Sequence, residues 1–178
     1  MTLESINFLL GLGTIGLQIL TLGLIVLFLL RKRIPDLEAN ADLIARHGIL
    51  IAFVVALGAC AVTLLHSIYF HLPPCPLCYW QRIFLYPQII LFGLALWRRE
   101  STRFIVDYSI LLSIIGLGFA IYHHALQMFP AGFAPCSSEG VSCAKILFLE
   151  FGYITYPMMA GTLFAFLIVV MLFVRRRI

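Results

Sequence analysis

Five long apolar runs separated by short charged segments leave this chain few ways to fold. They are Ile6 to Leu30, Gly48 to Phe70, Tyr79 to Trp97, Phe104 to Tyr122 and Tyr153 to Val174. A helix rises about 1.5 Å per residue, so each run is long enough to cross about 30 Å of hydrocarbon. The runs are continuous rather than alternating, which excludes a transmembrane barrel. Charged residues make up 11% of the 178 positions, against about 25% in soluble domains. That is too little to solvate a globular surface, so the chain reads as an integral membrane protein and a soluble enzyme is excluded. The expected fold is all-α with five spans in total. The first run reads as a retained span and not a cleaved leader, because no Lys or Arg precedes it and Arg31-Lys32-Arg33 follows it.

The net charge of +4 comes from clusters at the ends of the runs, not from a face that could bind nucleic acid. Arg31, Lys32, Arg33 and Arg46 follow the first run, Arg98, Arg99 and Arg103 follow the third, and Arg175, Arg176 and Arg177 follow the fifth. Ten of the twelve basic residues therefore fall on one side if every run crosses, leaving Arg82 and Lys145 on the other. The positive-inside rule puts that side in the cytoplasm, the C-terminus with it and the N-terminus outside. The outer segments, His71 to Cys78 and His124 to Gly152, then carry Cys75, Cys78, Cys136 and Cys143. An extracytoplasmic face permits disulfides. Cys60, in mid-span, reads as a small buried hydrophobe. The spacing Gly11, Gly13, Gly16 matches a dinucleotide fingerprint by accident, because it lies inside an apolar span with no strand before it, and it reads as helix-packing surface.

The segment from His71 to Arg82 (HLPPCPLCYWQR) carries the chemistry. Pro73 and Pro74 end the second span, and Pro76 suits the first turn of a new helix. Cys75 then sits near an N-cap and Cys78 in the first turn, where unpaired N–H groups and the helix dipole favour a thiolate. A disulfide between such thiols is labile and oxidising. Arg82 lies one turn deeper on the face of Cys78; it either snorkels to headgroups or stabilises that thiolate or an oxygen of a bound electron acceptor. A CxxC also occurs in metal sites, for which Cys136, Cys143, His123 and His124 are further candidate ligands. The second pair is irregularly spaced for a zinc knuckle and readily closed as a disulfide, so two disulfides on one face read as an electron relay. The stretch Lys145 to Phe151 is expected along the membrane interface. His66 and Asp107 read as polar residues facing the bundle.

With Cys136 and Cys143 downstream on the same face, the motif from Cys75 to Arg82 resembles the DsbB/BdbC disulfide-bond-formation proteins. The approach to the second pair, Leu126 to Cys136, is similar to theirs, and the short spacing of that pair is closer to the BdbC branch. The resemblance covers Gly48 to about Val174. It implies a four-helix bundle over 48–178; the first run departs from that pattern, and residues 1–47 are read as an additional N-terminal transmembrane helix and a cytoplasmic loop. It further implies a thiol oxidoreductase of the bacterial cytoplasmic membrane. Such an enzyme reoxidises an extracytoplasmic, DsbA-like thioredoxin-fold oxidase and reduces membrane quinone, either ubiquinone or menaquinone. Carried onto this chain, Cys75 and Cys78 are the quinone-coupled pair and Cys136 with Cys143 the partner-facing pair. Arg82, Cys78 and His123 are expected at the quinone, and no resident metal is expected. Two alternatives stand beside this: a quinone reductase like vitamin K epoxide reductase, in which the loop cysteines precede the CxxC, and a non-enzymatic metal-binding module.

Overall fold

Backbone placed in hydrocarbon must close its hydrogen bonds internally, and the apolar runs do so as helices. The computed structural model describes residues 3–98, 103–129 and 142–178. Its helices are α1 (Leu3–Leu30), α2 (Pro35–Ile68), α3 (Pro76–Arg98), α4 (Arg103–Met128) and α5 (Tyr156–Arg177). α2 starts well before the apolar run at Gly48, with Pro35 at the first helical position after the extended Ile34. Its 34 residues span about 51 Å at 1.5 Å each, so its first turns extend beyond the hydrocarbon, where Arg46 pairs with Asp42 at 2.8 Å.

The expectation of five spans does not hold. Among the described residues, four stretches are long and apolar enough to cross a membrane: Glu4–Leu30, Leu37–Ile68, Arg103–Met128 and Tyr156–Arg177. α3 does not qualify, because Gln81, Arg82 and Gln88 dilute its apolar residues. These polar groups find partners inside the protein. Gln88 is fully buried and takes hydrogen bonds from Ser109 Oγ at 2.7 Å and Ser113 Oγ at 3.2 Å, tying α3 to α4. Tyr86 meets Thr63 of α2 at 2.9 Å. The chain is a multi-pass membrane protein with four candidate spans and a fifth, more polar helix packed antiparallel between α2 and α4.

α5 is the hub, packing against α1, α2 and α4. Lipid tails are as apolar as leucine, so these contacts depend on close packing and not on water release. Gly116 of α4 lies under the Phe164 ring and Gly48 of α2 under Val174, so closely that neither position has room for a Cβ. The reading of Gly11, Gly13 and Gly16 as packing surface holds in part. Gly11 rests against Glu150 and Phe151, whereas the space a Cβ would take at Gly13 or Gly16 is open.

The two ends of the bundle differ in chemistry. At one end α5 reaches its neighbours by ion pairs: Arg175 to Asp107 of α4 at 2.7 Å, Arg177 to Asp42 of α2 at 3.6 Å, and Arg176 to Glu38 of α2. Asp107, expected to face the bundle, instead belongs to this half-exposed charged end. The other end holds Cys75, Cys78, Cys143 and His123, capped by the irregular segment 142–154. That segment turns back through a single bridge between Glu150 and Ile154, with Phe151 and Gly152 at positive φ. Ile146, Leu149 and Phe151 stay exposed, while Phe148 is buried and stacks on Tyr156 at 4.9 Å.

Candidate active site

The local sequence builds the thiol pair. Leu72 N–H bonds back to the His66 carbonyl at 3.1 Å, and the two prolines that follow carry the chain to the start of α3. Cys75 occupies the N-cap position: its carbonyl accepts from Tyr79 N–H at 3.2 Å and its sulfur accepts from Cys78 N–H at 3.4 Å. A spacing of three across a helix start brings the sulfurs together, and Cys75 Sγ and Cys78 Sγ are 2.9 Å apart. A small rotation about the side chains would close a disulfide of about 2.05 Å.

His123, from α4, is almost fully buried behind this pair. Its Nδ1 accepts from Gln81 Nε2 at 3.1 Å, so in the neutral ring Nε2 carries the proton. That N–H faces both the Cys143 carbonyl at 3.2 Å and Cys75 Sγ at 3.6 Å. One imidazole thereby links the CxxC helix to the segment bearing Cys143. A small cavity of about 30 Å³ is lined by Cys75, Cys78, Cys143 and His123 together.

The two sulfurs of the pair are inequivalent. The hydrogen bond shared with Cys78, and burial after it, push the Cys75 thiol up to about 12, against a weaker downward pull from His123. The same hydrogen bond holds Cys78 below the usual thiol range; the Arg82 guanidinium adds a smaller pull, and burial opposes both. When the reduced pair loses one proton, the remaining shared proton rests on Cys75 and the charge falls on Cys78. Alkylation of the reduced protein is therefore expected to modify Cys78 first, with a midpoint pH below that of a free thiol. Cys75 should stay unmodified until far higher pH. Peptide mass spectrometry across a pH series checks this, and equal titration of both thiols would contradict it.

Cys78 also borders a second, larger cavity of about 360 Å³ between α1, α2, α3 and α5. Its walls are leucine, valine and alanine, with Arg82, Gln81, His66 and Tyr156 as polar groups. Arg82 is tied to α2. Its Nη2 donates to Thr63 O at 3.1 Å and to Ser67 Oγ at 2.6 Å, both on α2, which holds the guanidinium at the cavity.

The structure brings Cys75, Cys78, Cys143, Arg82 and His123 to one end of the bundle. His123, expected beside Arg82, lines the small cavity with Cys75 and not the large one. Cys136 lies outside the described residues. His124 turns away to the buried Thr155, which caps α5, at 2.9 Å. The ligand atoms of Cys75, Cys78 and His123 lie within 4.8 Å of one another, close enough to hold a metal ion. Sequence reasoning missed Gln81, whose signal was an amide one turn after Cys78 in an apolar run. It also missed Asn7 and Tyr156, which meet at 3.3 Å across 149 residues of chain.

Comparison with known families matches residues 45–174 to the family described as "Disulfide bond formation protein DsbB". The chain belongs to the DsbB family. Among relatives of this DsbB-family protein, a "Probable disulfide formation protein C 2" from Bacillus anthracis is 33% identical over 129 residues, covering 72% of this chain and 91% of its own length. A "Probable disulfide formation protein" from Coxiella burnetii (strain CbuK_Q154) is 37% identical over 133 residues, 71% of this chain and 88% of that one. An "SPbeta prophage-derived disulfide bond formation protein B" from Bacillus subtilis (strain 168) is 35% identical over 126 residues, 71% and 83% of the two chains. No solved structure matches. The DsbB match begins inside α2, so α1 lies outside the shared segment.

Proposed function

We propose that this DsbB-family protein reoxidises the dithiol of an extracytoplasmic, DsbA-like thioredoxin-fold oxidase and passes the electrons to membrane quinone. The observation that carries this reading is the position of Cys78, whose residue lines both the small cavity with Cys75 and Cys143 and the large apolar cavity with Arg82. A cavity of about 360 Å³ falls in the range of roughly 300–1,000 Å³ that holds small organic ligands. Its apolar walls suit a ring with a lipid tail, and Arg82 suits an electronegative ring oxygen. Bound there, a quinone would accept two electrons and two protons.

The protein's own steps are thiol exchanges. The partner's thiolate attacks Cys136 of a Cys136–Cys143 disulfide and Cys143 leaves. The partner's second thiol then closes the partner's disulfide and releases Cys136. Cys143 attacks Cys75 of the Cys75–Cys78 disulfide, and Cys78 leaves as the thiolate that its surroundings favour. Cys136 re-forms the outer disulfide and releases Cys75, so two electrons have moved from the partner to the inner pair. His123 Nε2–H, shared between Cys75 Sγ and the Cys143 carbonyl, orients the attacked sulfur and stabilises it as it is released.

The test is purified protein with a reduced thioredoxin-fold partner and a quinone analogue: sustained, thiol-dependent quinone reduction is expected, and its absence would reject the reading. The grouping of Cys75, Cys78 and His123 favours a metal-holding module as the second reading. About one equivalent of tightly held metal, with no quinone reduction, would decide for that alternative.

The orientation proposed places the arginine-bearing end in the bacterial cytoplasm and the cysteine end outside. The C-terminus then lies inside, while the start of α1, where Phe8 packs on Phe151 at 5.9 Å, lies outside. A C-terminal green fluorescent protein fusion is expected to fluoresce and a C-terminal alkaline phosphatase fusion to be inactive. The opposite pair of results would invert the topology.

A further inference from the structure

Although α1 lies outside the segment matched to the DsbB family, it forms one wall of the large cavity through Leu9, Leu10, Gly13, Thr14 and Leu17. It is held there mainly by α5. Gln18 Nε2 donates to Thr162 Oγ1 at 3.2 Å, Tyr153 OH donates to Gln18 Oε1 at 2.9 Å, and Phe28 packs edge-on against Phe173 at 5.1 Å. The Thr14 hydroxyl is turned back onto the Leu10 carbonyl at 2.8 Å, so it is spent within the helix and the wall stays apolar. At Gly13 the space a side chain would take is open.

The same helix reaches a second polar group on the cavity. His66 of α2 and Tyr156 of α5 both line it. Asn7 joins them: its Oδ1 accepts from Tyr156 OH at 3.3 Å and lies 3.3 Å from His66 Nε2. Asn7 and His66 are 9% and 6% exposed, and a polar cluster so deeply buried is costly unless it is satisfied. His66 Nδ1 is anchored to the Val62 carbonyl at 2.8 Å, which fixes the ring plane. The cavity thus carries two separate polar groups, Arg82 on α3 and the Asn7–His66–Tyr156 cluster, with an apolar wall from α1 beside them. Polar groups set in apolar walls suit a quinone ring, which carries two oxygens on a flat apolar body.

We propose that α1 completes the quinone cavity, with the Leu10–Gly13–Leu17 face bearing on the bound ring and tail and Asn7 acting as a positioning residue that holds His66 and Tyr156 at the cavity's second polar edge. The inference rests on the quinone reading above and adds to it the helix that shapes the ligand space.

Photolabelling and equilibrium binding test it on the full-length protein. Azido derivatives of short-chain ubiquinone and menaquinone analogues are expected to label peptides of residues 3–30, and the unmodified quinone should suppress that labelling. Gly13→Phe fills the open space and is expected to weaken equilibrium binding of the short-chain analogue at least tenfold. Gly16→Phe makes the same change on the same helix away from the cavity, and should bind like the unaltered protein. Asn7→Leu should weaken binding less and shift label away from the peptide containing His66. Disulfide exchange with the thioredoxin-fold partner should be unchanged in all three variants, which also reports that they are folded. Unchanged binding in both Gly13→Phe and Asn7→Leu, with no label on residues 3–30, would overturn the role of α1 while leaving the Arg82-centred site standing. No quinone binding by the unaltered protein would overturn both.

Discussion

A Cys78→Ser variant is expected to lose quinone reduction to the background of a protein-free mixture while still accepting electrons from its partner once. A serine hydroxyl can neither close the disulfide with Cys75 nor leave as a stabilised anion at neutral pH. The inner pair is then lost and the Cys136–Cys143 pair remains. With quinone omitted, the fully oxidised unaltered protein holds two disulfides and should oxidise two equivalents of partner. Cys78→Ser should oxidise one and stop. Quantifying oxidised partner by thiol trapping separates the cases. Continued turnover in the variant would show that electrons leave by a route that avoids the residue bordering both cavities.

The second large effect concerns Arg82. One arm of its guanidinium is committed to Thr63 O and Ser67 Oγ, which leaves the rest of the planar fork for a ligand. Lysine offers a single ammonium that must either keep the α2 contacts or reach the ligand. A hydrogen bond to a charged group is worth about 1.5–3 kcal/mol, which corresponds to about 10–150-fold in affinity. Arg82→Lys is therefore expected to raise the apparent Michaelis constant for quinone by up to that factor and to leave exchange with the partner intact. Arg82→Met should be worse, because it also removes the positive charge that helps hold Cys78 as a thiolate. Quinone-dependence curves at saturating reduced partner decide the matter. Unchanged curves in both variants would mean that Arg82 only braces α3 against α2.

The helices were legible where hydrophobicity is continuous and less so where polarity is local. The runs at Ile6 and Tyr153 foretold α1 and α5 closely, because their few polar side chains do not break the apolar stretch, whereas α4 runs on to Met128, past the end expected at Tyr122. The start of α2 was missed because residues 35–47 are polar yet helical beyond the apolar stretch. α3 has the length of a span, but Gln81, Arg82 and Gln88 lower its hydropathy, which length alone does not register. In the site, the cysteine spacing and Arg82 were readable because they interact within one helical turn. The side of the thiol pair on which His123 lies was not readable, because it depends on how α4 packs against α3. Asn7, His66 and Tyr156 come from three helices, and no local pattern announces their meeting.

The ribosome releases α5 after the other four helices, and the structure makes it their shared neighbour. Its arginines meet acidic groups on α2 and α4 at one end, and its Thr155 cap and Tyr156 complete the site at the other. While the chain is being synthesised, Asp107, Glu38 and Asp42 lack their Arg175, Arg176 and Arg177 partners. Until Cys143 is made, Cys75 and Cys78 also lack the segment that covers them. During biogenesis the reactive pair is therefore formed early and enclosed last. A nascent chain stalled before Cys143 would leave the CxxC uncovered and open to any oxidant or thiol that reaches that end of the bundle.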